Sequence, residues 1–397
     1  MDETAPNAER ASCARALFIV ITDHPGGAER VAFAIASELS RRRGWAVEVK
    51  IVCSQASDSF SKRVLPAQVE MHYGPARSFY LSFCGLPFRL AWRHYDLVFT
   101  THVYTNALVS LMRRLKLLRI GSFIMRESTS VFDRWSGVKS WRFKRLYSAY
   151  GQEDLLIAQT GYMAERIRPY LPAPSSARVT VIPNPVDLAA IRQAVASGLD
   201  EPIKAKLASR SNILFCGRLI AEKQPWLAIA AFHRRVRSGS PAQLVFVGDG
   251  PLRAELEAQT KGLGLEARVQ FLGQVANPFP VMAACEQGLV TSSHEGFPNV
   301  ILEMMASGVR SIVTTPCAGD LDRLSGVTVT RTFEADEIAA ALENSASEDC
   351  RALYGHVLRT RGTERYLDEL LQLTGLEAGG FESGASRRPA RPEEIST

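Results

Sequence analysis

The chain has 397 residues, which is enough for two domains of ordinary size. Hydrophobic residues make up 46% and charged residues 22%, and these values exclude a disordered or collagen-like chain. The net charge of +6 comes from the first half, because residues 1–190 hold 25 of the 47 Lys and Arg but only 16 of the 41 Asp and Glu. A basic half indicates a polyanionic partner: phosphates, a nucleic acid or an anionic membrane face.

Seven cysteines are scattered without a CxxC pair or a Cys/His cluster, which favours a reducing compartment and predicts no metal site. Residues 1–15 lack the basic start of a signal peptide, and we interpret them as a flexible leader. No stretch reaches the ~20 apolar residues that a membrane helix needs. We therefore expect a cytoplasmic protein.

Along the chain, short apolar strands alternate with amphipathic helices in two successive series. The first series predicts strands at 16–21, 46–53, 96–102, 121–127, 154–160 and 179–187. The second predicts strands at 212–219, 243–250, 269–275, 287–293 and 310–315, with helices at 225–237, 252–264, 299–308, 334–345 and 363–373. A proline-rich segment separates the two series.

This order predicts an α/β fold of two doubly wound, Rossmann-like domains that face each other across a cleft. We assign residues 16–185 to the first domain and residues 186–360 to the second. Residues 361–376 are expected to form a C-terminal helix that can cross back to the first domain. Residues 377–397 are rich in Gly, Ser, Arg, Pro and Glu, and we expect a disordered tail there.

Gly26 and Gly27 lie between a strand and the amino terminus of a helix, where backbone amides are free and the helix dipole is positive. Such a loop suits an anion, although the two glycines taken alone favour a tight turn between strand and helix. The loop is not GxGxxG, and the chain has no GxxxxGK[ST] motif, so neither a nicotinamide site nor a P-loop is indicated.

Two cations follow the first strand of the second series. Gly217 ends that strand, and Arg218 and Lys223 lie in the loop that enters the next helix. Basic loop residues are usually only solvated. At the carboxyl edge of a parallel sheet, however, two cations and free amides form a clamp for a diphosphate, and this position favours that interpretation.

The segment HEGFPNVILE (294–303) is the most specific feature. A strand ends, a Gly/Pro turn follows, and a helix starts, so Gly296 allows a ligand to approach the backbone. Glu295 lies in the loop, where its carboxylate can accept hydrogen bonds from sugar hydroxyls. Glu303 lies within the apolar run VILEMMA, where a charge needs a partner, and ribose hydroxyls would supply one.

These motifs together resemble the GT-B glycosyltransferases of the large retaining family four. The segments that match are GGAERVA, VIPNPVD, GRLIAEKQ, LVFVGDGPLR and EGFPNVILE, in that order over about residues 16–320. The resemblance implies a nucleotide-sugar donor, UDP- or GDP-linked, bound mainly by the second domain. It also implies retention of the anomeric configuration, without a metal or another cofactor.

The resemblance implies a role for each matching residue. Arg218 and Lys223 would hold the donor diphosphate, Glu295 would bind hydroxyls of the transferred sugar, and Glu303 would bind the ribose. The residues whose backbone would approach the donor are Gly26, Gly27, Gly217, Gly296, Phe297, Pro298 and Asn299.

The first domain departs from the family pattern. Many relatives carry a His after the strand that here is GSFIMRE, whereas this chain has Arg126 and Glu127 at that position. Glu127 could orient the donor sugar or the acceptor, and we place it in the predicted catalytic set beside Glu295, Arg218 and Lys223. Arg126 could pair with a phosphate. His102 is the other candidate, although a lone His at a strand end is more often structural.

Two basic segments, 113–119 and 139–145, mix Lys and Arg with large apolar residues, and the segment 78–90 is apolar. This pattern suits docking at an anionic membrane face, but ordinary amphipathic helices explain it equally well. The resemblance implies an undecaprenyl-diphosphate-linked glycan as acceptor, in exopolysaccharide, capsule or lipopolysaccharide synthesis. That acceptor favours a peripheral position at the inner face of the cytoplasmic membrane.

Two other functions stay open: a nucleotide-sugar epimerase of the same fold, and a non-catalytic basic protein that binds a membrane or a nucleic acid. No RNP-type aromatic motif, zinc finger or arginine-rich arm supports nucleic-acid binding. We predict a retaining hexosyltransferase whose partners are a nucleotide sugar, a lipid-linked glycan and an anionic membrane, with no nucleic acid.

Overall fold

The structure is a computed structural model that describes residues 13–24, 26–42, 44–53, 60–75, 78–128, 137–208 and 211–376. Most of the predicted leader (1–15) and all of the predicted tail (377–397) lie outside these ranges. Within them, no helix has both the length and the apolar character needed to cross a bilayer.

The first half forms a parallel sheet covered by helices on both faces. Its described strands are β1 (Ala14–Val20), β2 (Trp45–Ile51), β3 (Glu70–Tyr73), β4 (His94–Thr100), β5 (Arg119–Arg126), β6 (Leu155–Ala158) and β7 (Val179–Val181). They are ordered β3-β2-β1-β4-β5-β6-β7. The described helices are α1 (Gly27–Arg41), α2 (Phe60–Val64), α3 (Phe79–Leu90), α4 (Val103–Arg114), α5 (Gly137–Tyr147), α6 (Gly161–Ile167) and α7 (Ala173–Ala177).

The second half repeats this design. Its strands are β8 (Asn212–Cys216), β9 (Gln243–Val247), β10 (Val269–Gly273), β11 (Gln287–Val290), β12 (Ser311–Thr314) and β13 (Val327–Val329), all parallel in the order β10-β9-β8-β11-β12-β13. The helices are α8 (Leu188–Ala196), α9 (Glu201–Leu207), α10 (Pro225–Arg237), α11 (Arg253–Gly262), α12 (Phe279–Ala283), α13 (Asn299–Ser307), α14 (Ala335–Asn344), α15 (Arg351–Thr360) and α16 (Thr363–Leu373). The predicted α/β fold of two doubly wound sheets is confirmed.

Most inner strands are rich in apolar residues because helices cover both faces of each sheet. In β1, Phe18 and Val20 pack in a cluster with residues of α1, whereas Leu17 and Ile19 pack in a cluster with residues of α3 and α4. All four side chains are fully buried. Because successive side chains of a strand point to opposite faces of the sheet, this one strand contributes to two hydrophobic cores.

The structure adds two strands that the sequence did not predict, β3 and β13. Both are short, lie at the edge of a sheet, and consist largely of half-exposed residues, so they contain no apolar run. Two predicted limits also shift. β1 begins at Ala14, before the predicted start at residue 16, and β7 ends at Val181, before Pro183 and Pro185, which have no amide to donate.

The chain crosses between the two halves twice, and the two crossing segments lie side by side. Val186 and Gly362 form an isolated parallel β-bridge, and the amide of Val186 donates to the carbonyl of Arg361 at 2.7 Å. After the second passage, α16 packs against α1 and places Tyr366 and Leu367 in the α1-side core of the first sheet. The last helix therefore completes the core of the first half.

In each sheet the strand order reverses beside the first strand. β1 lies between β2 and β4, and β8 lies between β9 and β11. A crevice forms at the carboxyl ends of the strands at such a point. The glycine loop follows β1, Gly217 follows β8, and the 294–298 turn follows β11, so all three motifs lie at these switch points.

Candidate active site at the carboxyl ends of the two sheets

The glycine loop of the first half contacts the start of α13 in the second. Gly26 is the residue before α1, and the carbonyl of Gly27 accepts a hydrogen bond from Asn299 Nδ2 at 3.2 Å. A Cβ added to Gly27 would lie 3.1 Å from the same nitrogen, and one added to Gly26 would overlap the carboxylate of Glu29. The two glycines therefore allow close approach of side chains, of Asn299 across the cleft and of Glu29 within the loop.

Lys223 and Glu295 form an ion pair through Nζ and Oε1. Ser292 Oγ donates to the same carboxylate oxygen at 2.8 Å, and the amide of Glu295 donates to the carbonyl of Cys317 at 2.7 Å. Thr291 Oγ1 donates to the carbonyl of Lys223 at 2.9 Å, which fixes the short 3-10 turn that carries the lysine. The structure thus brings together two residues that the sequence assigned to one site.

Glu303 has a partner from the other half of the molecule. Its Oε1 lies 3.5 Å from NH1 of Arg30, in the first turn of α1. The Cys216 thiol, at the end of β8, is close enough to respond to both charges and to Lys223. Its pKa is raised to about 12, mainly by burial and further by Glu303, while Arg30 and Lys223 oppose the rise. The charges of Glu303, Arg30 and Lys223 therefore all act on the thiol at the end of β8.

Arg218 is exposed and lies near Glu29 of α1. Burial raises the pKa of Glu29, and the charge of Arg218 acts in the opposite direction across the cleft. Thr22 Oγ1 donates to Glu29 Oε1 at 3.1 Å and helps to hold this carboxylate. The site therefore contains cations and carboxylates from both halves.

The turn that follows β11 is packed against the first half. A Cβ added to Gly296 would lie 2.7 Å from the carbonyl oxygen of Ser128 and 3.1 Å from Gln159 Nε2. Phe297 is buried, and the guanidinium of Arg361 lies 4.9 Å from the centre of its ring. Burial lowers the pKa of Arg361 to about 10. Pro298 then leads directly into α13.

Asn184, in the linker between the two halves, joins three elements. Its Nδ2 donates to Asn299 Oδ1 at 2.5 Å and to Gln159 Oε1 at 2.8 Å, and its Oδ1 accepts from NH2 of Arg126 at 2.6 Å. Gln159 Nε2 in turn donates to the carbonyl of Glu127 at 2.8 Å. This network fixes the first residue of α13 against the ends of β5 and β6.

Glu127 does not join the Lys223–Glu295 cluster. It is 1% exposed and accepts hydrogen bonds from Tyr150 at 2.6 Å, Asn106 at 2.9 Å and Tyr147 at 3.0 Å. Burial raises its pKa, and these hydrogen bonds oppose the rise. The contacts of its side chain are with α4, α5 and the turn after α5.

The other two candidates of the first half also have structural partners. Burial lowers the pKa of Arg126, which lies close to Tyr366 of α16 as well as to Asn184. His102 precedes α4 and stacks on Tyr104 with the ring centres 5.5 Å apart. Among the described residues, no group of three or more His, Cys, Asp or Glu is arranged to hold a metal ion.

Sequence reasoning missed Arg30, Glu29, Asn184 and Arg361. The first two lie within GGAERVA and the third within VIPNPVD, so the motifs contained them. Arg30 and Asn184 have partners that are distant along the chain, Glu303 and Asn299. No local spacing could therefore have identified these contacts.

Two family descriptions match the chain: Glycosyltransferase Family 4 over residues 25–190, and Glycosyl transferases group 1 over residues 210–348. An N-acetylgalactosaminyltransferase of Campylobacter jejuni that acts on a diphospho-undecaprenol-linked saccharide is 30% identical over 308 residues, which are 74% of this chain and 79% of that protein. An uncharacterized glycosyltransferase of Methanocaldococcus jannaschii is 24% identical over 231 residues, 56% of each chain. The chain belongs to the group 1 glycosyltransferases of family 4.

Solved structures match nearly the whole fold. The Anabaena protein HepE, in complex with UDP and glucose, superposes with a TM-score of 0.72 at 19% identity, covering 91% of this chain and 99% of that one. A sucrose-phosphate synthase of Thermosynechococcus elongatus gives 0.71 at 15% identity, over 91% and 98%. At these identities the likeness defines the fold alone, which is GT-B.

Proposed function

We propose that this glycosyltransferase moves a sugar from a UDP- or GDP-linked donor to a hydroxyl of a lipid-linked glycan, with retention at the anomeric carbon. The observation that carries the proposal is the pair of ion pairs at the carboxyl ends of the two sheets, Lys223 with Glu295 and Glu303 with Arg30 of α1. Alternating cations and carboxylates suit a ligand that combines a diphosphate with hydroxyl-rich sugars.

In this proposal Arg218 and Lys223 stabilise the negative charge that develops on the departing diphosphate, so no metal or other cofactor is needed. The carboxylates of Glu295 and Glu303 accept hydrogen bonds from hydroxyls of the transferred sugar and of the ribose. The bond between the anomeric carbon and the phosphate oxygen breaks, and the acceptor oxygen bonds to that carbon on the same face. The acceptor proton passes to the leaving phosphate.

Glu127 has a different part, since its carboxylate is enclosed by Tyr147, Tyr150 and Asn106. We propose that it positions the end of β5. The carbonyl of the next residue, Ser128, is the atom that Gly296 approaches. In this role Glu127 would fix the place at which the 294–298 turn, called the donor turn, packs against the first domain.

The acceptor class is supported by relatives. The Campylobacter protein described above and a second N-acetylgalactosaminyltransferase of that organism are both named for undecaprenol-linked saccharides. A lipopolysaccharide core glycosyltransferase of Rhizobium meliloti is 30% identical over 43% of this chain. We infer a role in a bacterial surface polysaccharide.

A membrane position is supported by α3, which turns an apolar face to solvent. Tyr80, Leu81, Cys84 and Phe88 are exposed. Cys84 lies four residues after Tyr80 and three after Leu81, and Phe88 lies four after Cys84, so the four share one face. Phe88 is 87% exposed. We call these four residues the insertion face.

The first half exposes further aromatic residues and basic side chains. Trp92, which follows α3, is 75% exposed, and Trp141 of α5 lies under the guanidinium of Arg145. Arg142 and Lys144 on α5 are exposed as well. Aromatic groups beside cations suit the headgroup region of an anionic bilayer, where a lipid-linked acceptor is found.

Thermal-shift measurements with UDP-, GDP- and ADP-sugars test donor binding, because a donor that binds the folded state raises its apparent stability. Incubation of a labelled donor with an undecaprenyl-diphosphate-linked glycan then tests transfer, and NMR of the product gives the anomeric configuration. A changed sugar without transfer would indicate an epimerase. No response to any nucleotide sugar, together with tight binding to DNA, would overturn the proposal.

Vesicle flotation tests the membrane position. Phe88→Ser is expected to weaken binding to phosphatidylglycerol vesicles roughly tenfold, since burying a Phe side chain contributes about 1.5–3 kcal/mol. Leu353→Ser, an exposed leucine on α15, is the matched control and should leave binding unchanged. Equal binding of wild type and Phe88→Ser, or a preference for phosphatidylcholine, would contradict the assigned surface.

A further inference from the structure

We propose that Arg30 is the third cation of the donor diphosphate site, supplied by the first domain and held by Glu303 until the donor binds. The inference rests on the proposed function and adds a residue that the family motifs leave without a role. It predicts that donor binding replaces ion pairs within the protein by contacts between the protein and the donor.

The position of Arg30 supports this assignment. Its amide donates to the carbonyl of Gly26 at 3.0 Å, so it lies in the turn of α1 directly above the glycine loop that approaches the phosphates. The NH1–Oε1 separation from Glu303 is 3.5 Å, longer than a well-formed hydrogen bond. The Arg30 side chain keeps 30% of its surface exposed, so it has room to turn.

Both carboxylates that we assign to hydroxyls of the donor are paired with a cation. Glu303 is paired with Arg30 across the cleft, and Glu295 is paired with Lys223 within the second half. When hydroxyls of ribose and sugar bind the carboxylates, they compete with the ion pairs that Glu303 and Glu295 make with Arg30 and Lys223. A diphosphate placed between the glycine loop and Gly217 supplies new partners for the two cations.

The exchange leaves no charge buried without a partner at either stage, which is a requirement for ionic groups in a closing cleft. Since Arg30 comes from α1 and Lys223 from the other half, one diphosphate between them would also hold the two halves together.

An alternative is that Arg30 is only a brace between the two halves. In that case removing it frees Glu303 for the ribose, and a nucleoside diphosphate binds as well as before or more tightly. If Arg30 contacts the diphosphate, its removal weakens binding of a nucleoside diphosphate but not of the nucleoside. The two roles therefore predict opposite results.

Isothermal titration of the full chain with UDP, GDP, uridine and guanosine tests the proposal. For Arg30→Gln we expect the affinity for the preferred nucleoside diphosphate to fall about tenfold, as for loss of one charge-assisted hydrogen bond. The affinity for the matching nucleoside should stay within about twofold of wild type. Arg30→Lys keeps the charge and should recover most of the lost affinity.

Arg41→Gln is the matched control. Arg41 lies in the last turn of the same helix, is also paired with a glutamate (Glu38, 3.2 Å), and is far more exposed. It should bind both ligands as wild type does, and circular dichroism should show all variants folded.

Wild-type affinity of Arg30→Gln for the nucleoside diphosphate, or an equal loss for diphosphate and nucleoside, would overturn the role of Arg30 alone. If wild type binds neither UDP nor GDP, the proposed function fails and the role of Arg30 fails with it.

Discussion

At the residue scale, the ion pair of Lys223 with Glu295 joins two groups to which we assign different tasks. In the proposed function the lysine binds the leaving phosphate and the carboxylate binds sugar hydroxyls. Both side chains are partly exposed, with 25% and 17% of their surface accessible. A pair at such a site contributes little to folding, so its residues can be changed without loss of the fold.

We therefore expect Lys223→Ala and Glu295→Ala to fold and to lose turnover. Removal of one preorganised charge that stabilises a transition state lowers kcat by roughly 100- to 1000-fold. Initial rates with a labelled donor measure the loss, and thermal melts show whether the variants are folded. Rates near wild type in either variant would contradict the assignment of the site.

At the scale of elements, α16 shows how a helix from the end of the chain can belong to the first domain. Thr363 begins it directly after the second passage between the halves, and its apolar face packs on α1. Leu367 is fully buried in the α1-side core, whereas Leu373 on the same helix is 48% exposed. The sequence predicted the helix and its polarity pattern, but the helix that it covers is more than 300 residues earlier in the chain.

Leu367→Ala is expected to lower the free energy of unfolding by about 2–5 kcal/mol, because it removes buried methyl groups and leaves a cavity. Leu373→Ala should change it by less than about 0.5 kcal/mol. Chemical denaturation followed by circular dichroism measures both. An equal effect of the two substitutions would mean that α16 is not held against α1 in solution.

At the scale of the whole molecule, Asn184 is the point where the linker, both sheets and the donor turn meet. The side chain has no freedom to move without breaking hydrogen bonds to Arg126, Gln159 or Asn299. The flanking prolines, Pro183 and Pro185, restrict its backbone as well. Asn184 therefore helps to fix the relation between the two domains, together with the Gly27–Asn299 and Arg30–Glu303 contacts.

Asn184→Ala should cost about 2–3 kcal/mol of stability, since it leaves buried polar partners unsatisfied. It should also raise the KM for the donor more than it lowers kcat, because the first residue of α13 loses its anchor while Lys223 and Glu295 remain. Asn344→Ala, at an exposed position, is the control. Denaturation curves and initial rates over a range of donor concentrations measure the two effects, and an unchanged KM would contradict the anchoring role.

The fold followed from local patterns, because each buried strand of a doubly wound sheet is an apolar run and each helix has one apolar face. The patterns failed at β3 and β13, whose edge positions need no such run. The pattern of strands also identified the candidate binding loops, because Gly26, Gly217 and Gly296 follow the ends of strands.

The sequence by itself determined the two βα series, the glycine loops, the cation pair Arg218 and Lys223, and the carboxylates Glu295 and Glu303. Only the tertiary structure decided which charges meet. It paired Glu303 with Arg30, enclosed Glu127 among tyrosines, and anchored Asn299 through Asn184. The physical reason is that local spacing fixes which face of an element a residue occupies, whereas contacts between domains depend on how two complete sheets pack.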